Sequence, residues 1–299
     1  MLKGVLAGLA AGALWGLVFI APRMATAISS VDLTAGRFLS FGLLSTLLLL
    51  GRRSHRWPKA AQARAALGLS VLGFTGYYLL LVLAIHDAGS EVPTLIIGTI
   101  PIWMMLLGRP LGLRWAALLP GLLFTLGGLG LMIVATDGLA SLAAAAAPVH
   151  YWRGVLWAVL AMLCWTAFGL LNSVWLKRHP EVSATEWTNW LGVATGAGAL
   201  LMWLVAGTPA SVLLASDGWQ LAAALCVATG VGSAWLATIL WNVASRHMSA
   251  SLCGQLIVSE TVFGLLYSFM LDGHWPTCLQ LWACALFVLG IMASVRAHT

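Results

Sequence analysis

The chain has 299 residues, of which 61% are hydrophobic and only 8% charged, and its mean hydropathy is +0.95. A soluble protein with an unusually large core is excluded, because apolar runs of about 20 residues recur along the whole length. The net charge of +6 then reports membrane orientation rather than nucleic acid or another acidic partner.

Met1-Leu2-Lys3 ahead of an apolar run resembles a signal peptide. No small-x-small cleavage site follows it, and the run has a counterpart mid-chain, so it is read as the first transmembrane helix. Ten apolar segments are expected at about 4–22, 31–50, 65–85, 91–108, 114–135, 153–175, 185–206, 218–241, 249–271 and 276–296. With the first end in the cytoplasm, the inside loops collect Lys3, Arg52, Arg53, Arg56, Lys59, Arg64, Arg109, Arg114, Lys177, Arg178, Arg246 and Arg296. Only Arg23 and Arg153 fall outside, and Arg37 lies within a span. The excess of inside cations puts both chain ends in the cytoplasm.

An internal repeat organises these segments. Gly4-Val-Leu with Leu14-Trp15 matches Gly154-Val-Leu with Cys164-Trp165, and Val31-x-x-Thr34 answers Val182-x-x-Thr185. Gly73 aligns with Gly232 and Ser90 with Ser249 on a slightly larger offset. The expected fold is all-α and integral to the membrane, with ten transmembrane helices as two inverted five-helix repeats, because an odd number of spans makes the second unit enter the membrane the opposite way. Residues 1–136 form the first unit and 153–299 the second, with the Ala-rich 137–152 stretch as linker.

Helix one carries Gly4, Gly8, Gly12 and Gly16, a face bare of side chains that is read as a close-packing surface; Gly192 and Gly196 look alike on helix seven. Arg52-Arg53-Ser-His-Arg56 is the basic anchor between helices two and three. Helix four holds Pro93, Gly98 and Pro101; proline removes an amide donor, so a bend is expected, with Gly98 and Pro101 as hinge. At the repeat offset Pro101 falls opposite Glu260, which sits about halfway along its span. Lipid offers a carboxylate at that depth nothing to bond, so a lining role is expected for both.

Of the sixteen tryptophans, Trp57, Trp115, Trp152, Trp187, Trp219 and Trp275 fall near segment ends, where an amphipathic ring suits the headgroup level. Trp15, Trp103, Trp165 and Trp235 lie well inside their spans, where each indole N–H needs a partner, either across a helix interface or in a solvated cavity. Tyr77 and Tyr78 are adjacent and diverge, so one faces the axis, and Tyr78 is favoured. Trp241, Asn242 and Ser245, like Asn172 and Ser173, can read polar groups of a solute or bond neighbouring helices. Arg37 can snorkel or meet a substrate carboxylate. Glu260 can attract an amino group, accept a coupling proton or bond a neighbouring helix.

Trp15-Gly16, Arg37-Phe38, Pro101 and the Pro120–Gly130 run, in this order and with this repeat, resemble the drug/metabolite transporter superfamily in its EamA-type ten-helix form. Gln255-Leu-Ile-Val-Ser-Glu-Thr261 is similar to aromatic amino acid exporters of the YddG type, which brings Gln255 into the substrate-binding set with Trp15, Tyr78, Trp103, Trp165, Trp241, Asn242, Ser245 and Glu260. The chain departs from many relatives in having Gly108-Arg109 and Asp272-Gly273 where they end helices four and nine with a Gly-Glu-like pair. Arg37 also meets Thr188 in the second repeat.

Enzyme signatures are missing: no His-Glu-x-x-His, no Gly-x-Ser-x-Gly, no phosphate-binding Gly-rich loop followed by Lys, and no acid cluster to hold metal. The seven histidines sit in loops or at segment ends, and the five cysteines (Cys164, Cys226, Cys253, Cys278, Cys284) include no Cys-x-x-Cys pair. No cofactor is expected. The resemblance implies a secondary transporter of the bacterial inner membrane exporting amino acids, aromatic and other neutral ones first, through a midplane cavity by alternating access. A monomer, in contact with membrane lipids and with no nucleic acid, suffices for this. The same fold moving a sugar phosphate, nucleotide conjugate or drug is the alternative, and an intramembrane lipid-acting enzyme is the alternative of a different class.

Overall fold

The computed structural model describes residues 1–25, 28–51, 57–89, 91–135, 150–273 and 275–298. The Arg52–Arg56 loop, Ser90, His274 and the linker up to residue 149 lie outside the described residues.

Inside a bilayer every amide must bond within its own segment, so apolar runs of this length become helices. Nine such helices among the described residues are long and apolar enough to cross a membrane. They are α1 (Leu2–Met24), α2 (Ser30–Leu50), α3 (Ala60–Ala88), α5 (Trp115–Ala135), α6 (Tyr151–Arg178), α7 (Ala184–Ala206), α8 (Trp219–His247), α9 (Ala250–Leu271) and α10 (Cys278–Ala297). A shorter apolar helix, α4 (Val92–Leu107), takes the place of the fourth expected span. All ten expected segments are therefore helical, and the chain is a multi-pass membrane protein.

Hydroxyls set the starts of several helices. Ser29, Ser183, Ser249 and Thr277 accept hydrogen bonds from the amides of Asp32, Glu186, Leu252 and Gln280, which fixes the first turns of α2, α7, α9 and α10. α4 breaks where its sequence removes donors: it runs as Glu91–Gly98 and Ile100–Leu107, and Pro101 opens the second piece. The Thr99 hydroxyl, at the break, donates to the Ile96 carbonyl at 2.6 Å. α3 and α8 each contain a π-helical stretch, Val71–Thr75 and Gly230–Leu236, around the aligned glycines Gly73 and Gly232.

The helices pair as α2 with α7, α5 with α10, α3 with α6, and α1 with α8 and α9. The second piece of α4 packs on α9. Glycine permits the closest of these approaches. A Cβ added at Gly42 of α2 would stand 2.5 Å from the Cα of Gly196 of α7, so only hydrogen fits between the two backbones. The α1 stripe faces α9 and the end of α8: a Cβ at Gly8 would meet the Leu256 side chain, one at Gly12 the Glu260 amide nitrogen at 3.1 Å, and one at Gly16 the Gly264 amide nitrogen at 2.8 Å.

The two ends of the bundle differ in charge. Met1, Lys177, Arg246, His247 and His298 border one cleft, so both chain ends lie on the same side with these cations. At the other end Arg153, in the first turn of α6, grips Asp87 of α3 with two hydrogen bonds of 2.6 and 2.9 Å. Asp32 there accepts from the Thr208 amide at 2.8 Å and from the Thr208 hydroxyl at 2.7 Å, tying α2 to the α7–α8 connection.

Candidate functional site

Three indoles from three helices meet in the bundle. Trp15 of α1 lies 5.3 Å from Trp241 of α8 and 6.2 Å from Trp165 of α6, and Trp165 lies 6.1 Å from Trp241. These tilted and edge-on geometries suit ring quadrupoles, and they leave Trp15 and Trp165 half-buried while Trp241 is buried. The Trp241 indole N–H has no partner among the described residues.

From Trp165 a series of buried ring contacts continues without a gap. Phe168 lies 5.9 Å away, Phe74 of α3 5.5 Å beyond it, and Phe38 of α2 5.9 Å beyond that. Tyr78 closes the series, 6.3 Å from Phe38, and its hydroxyl donates to the Ser30 carbonyl at 3.1 Å. Gly73 makes the turn possible: a Cβ there would overlap the Phe168 ring at 2.5 Å.

At the Phe38 end the series meets charge. The Arg37 guanidinium stands over the Phe38 ring, 4.8 Å from its centroid, and its Nε is buried without a partner. Arg37, Tyr77 of α3 and Glu260 of α9 lie within electrostatic reach of one another. Each lies deep in the bundle yet keeps some accessible surface, so none of the three is sealed in the core. Among the described residues no ion pair within 4 Å joins Arg37 to Glu260.

The other expected site residues sit elsewhere. Asn242 is fully buried in a relay in which Trp187 donates to Asn172 at 2.7 Å, Asn172 to Asn242 at 2.8 Å, and Asn242 to the Thr188 hydroxyl at 2.9 Å. Ser245 is buried beside it, its carbonyl 3.4 Å from the Ser173 hydroxyl. Gln255 is buried against α5 and donates to the Thr125 hydroxyl at 2.9 Å. None of these three has accessible surface in this conformation. Trp103 is 43% exposed, apart from the indole cluster, and donates to the Thr99 hydroxyl one turn earlier. Pro101 is buried, while Gly98 keeps some accessible surface.

Trp187 departs from its expected place at a membrane surface. It is fully buried and stacked 3.4 Å from Trp175, because α6 and α7 enclose it. Sequence reasoning named Phe38 only as part of the resemblance and passed over Phe74 and Phe168, since phenylalanine carries no distinguishing signal in an apolar chain. It favoured Tyr78 over Tyr77; both tyrosines lie within electrostatic reach of Arg37, and Tyr77 also of Glu260.

Comparison with known proteins matches this architecture. Residues 2–136 match the EamA-like transporter family. The chain is 32% identical over 312 aligned positions to the inner membrane protein YtfF of Escherichia coli strain K12, covering 99% of this chain and 96% of that protein. A crystal structure of a protein 22% identical shares the fold, with a TM-score of 0.73 over 99% of this chain and 98% of the other. The aromatic series and charged corner thus belong to a membrane transporter, and the chain is a member of the EamA-like transporter family.

Proposed function

We propose that this transporter exports amino acids, aromatic and other bulky neutral ones first, across the bacterial inner membrane. The observation that carries the reading is the juxtaposition of an unbroken aromatic series with one basic and one acidic side chain that form no direct ion pair. A zwitterion with an apolar side chain matches it: Arg37 meets the carboxylate, Glu260 the ammonium, and Trp15 and Trp165 the side chain, with buried Trp241 and Phe168 packed behind them. Tyr77 and Tyr78 border the charged corner, and Asn242, Ser245 and Gln255 frame the site from behind.

Residues 1–136 and 153–299 act as two inverted units joined by 137–152. The pairing of α2 with α7 and α5 with α10 supports this, since these are corresponding helices, and so do the π-helical stretches at aligned positions in α3 and α8. Alternating access comes from rocking these units, with the broken α4 flexing between Gly98 and Pro101. Lys177 and Arg246 at the end holding both termini support a cytoplasmic position for that end. An inner-membrane location accords with the name of the Escherichia coli relative.

Counterflow into liposomes with labelled phenylalanine, threonine and a sugar phosphate tests the proposal. Phenylalanine should exchange fastest and the sugar phosphate not at all, and both Trp165→Ala and Glu260→Gln should slow phenylalanine exchange. Wild-type protein that moved neither amino acid would overturn it.

A further inference from the structure

A second site stands at the end of the bundle away from the Asp87–Arg153 pair. A cleft of ≈ 340 Å³ opens there between the ends of α6, α8 and α10, the start of α9 and the α4–α5 connection. Its rim is basic, with Lys177, Arg246, His247 and His298, and none of its lining residues is acidic. Its remaining wall is apolar, with Met248 and Leu252.

Two of the rim groups are held from behind by backbone carbonyls. Arg246 donates one Nη to the carbonyls of Val182 and His179, and its Nε, buried away from the cleft, has no partner among the described residues. His298 lies 2.7 Å through Nδ1 from the Ser294 carbonyl, which can only accept, so Nδ1 carries the proton; its Nε2 is buried and unpartnered. His247 is held in the same way on the Val243 carbonyl at 2.8 Å. The 23-residue helix that begins at Ala250 points its N-terminal dipole at the same space. The one acid whose charge reaches Arg246 is Glu181, which is exposed and outside the lining.

We propose that this cleft binds a phosphate ester: the oxygens meet Lys177 and Arg246, and the organic substituent lies on Met248 and Leu252. The site is separate from the cargo hollow and stands whatever that hollow carries. An anionic phospholipid headgroup and a free phosphate share this chemistry, and the binding assay distinguishes them.

Native mass spectrometry of the detergent-purified full chain, titrated in separate arms with phosphatidylglycerol, phosphatidylcholine and inorganic phosphate, tests the assignment. Lys177→Gln removes a cation from the cleft, whereas Arg178→Gln removes one from the same exposed helix end outside the lining. Retention of phosphatidylglycerol, inorganic phosphate or both should fall about fivefold in Lys177→Gln, in line with roughly 1 kcal/mol per surface cation, and stay unchanged in Arg178→Gln. Loss in the lipid arm identifies a headgroup, and loss in the phosphate arm a soluble ester. No retention of either anion over phosphatidylcholine, or equal loss in the two variants, would overturn the site and leave these cations as orientation signals only.

Discussion

Replacing Asn242 by alanine separates a framing role from a substrate-reading one. The change removes two interhelical hydrogen bonds, from Asn172 at 2.8 Å and to Thr188 at 2.9 Å, from a fully buried position. Interhelical hydrogen bonds in membranes average about 0.6 kcal/mol and reach about 1.7, so the loss should be about 1–3 kcal/mol. Asn172→Ala should cost a similar amount, because it releases both Asn242 and the Trp187 indole, held at 2.7 Å. The bond shared by the two variants makes their costs non-additive, and the double variant should reveal a coupling of about 0.6–1.7 kcal/mol. Unfolding midpoints in detergent give the stabilities, and liposome counterflow gives the KM for phenylalanine. A KM raised about tenfold with an unchanged midpoint, equivalent to about 1.4 kcal/mol of lost binding, would refute the framing role. Zero coupling would refute the relay.

Three further outcomes follow from the geometry. Glu260→Gln keeps the shape of a side chain that the proposed function places against the solute, so folded yield should hold while phenylalanine counterflow falls about tenfold, the loss of about 1.4 kcal/mol of charge interaction; undiminished counterflow would remove Glu260 from the proposed site. Gly196→Leu drives a side chain into the Gly42 backbone, where an added Cβ would already stand 2.7 Å from Cα, and should destabilise by about 1–3 kcal/mol. Gly68→Ala, with nothing within 4 Å, should be close to neutral; equal melting of the two would contradict the tight α2–α7 contact. Asp32→Ala frees the Thr208 amide, and hydrogen exchange there should quicken about tenfold or more, since a bond to a charged acceptor is worth about 1.5–3 kcal/mol. Unchanged protection at Thr208 would count against the tie between α2 and the α7–α8 connection.

The spans were legible because lipid leaves an apolar run of this length only one secondary structure. The break in α4 was legible for a similar reason: Gly98 and Pro101 bracket Thr99, where the helix stops and restarts. The Gly4–Gly16 stripe was readable as a packing face, though its partner α9 was not, since spacing names a surface and not what covers it. Within the site, Trp15 and Trp165 were legible from the repeat that pairs them. Asn242, Ser245 and Gln255 were not, because a polar residue in an apolar span points to some partner without saying whether that partner is solute or helix. Arg37 was weighed against snorkelling and acquires its place only when Phe38 and Tyr77 are brought beside it.

The π-helical stretches of α3 and α8 have a consequence for how the site can change. An inserted residue shifts the phase of everything beyond it by about 100°, so the two ends of such a helix present faces that no single wheel describes. In α3 the Ser70 hydroxyl meets Thr195 of α7 at 2.8 Å on one side of the slip, and Tyr77 reaches toward Glu260 on the other. The half anchored on α7 and the half that carries Tyr77 can therefore vary in composition independently. Removing one residue between Val71 and Thr75 would turn Tyr77 away from the charged corner with no change at that corner itself.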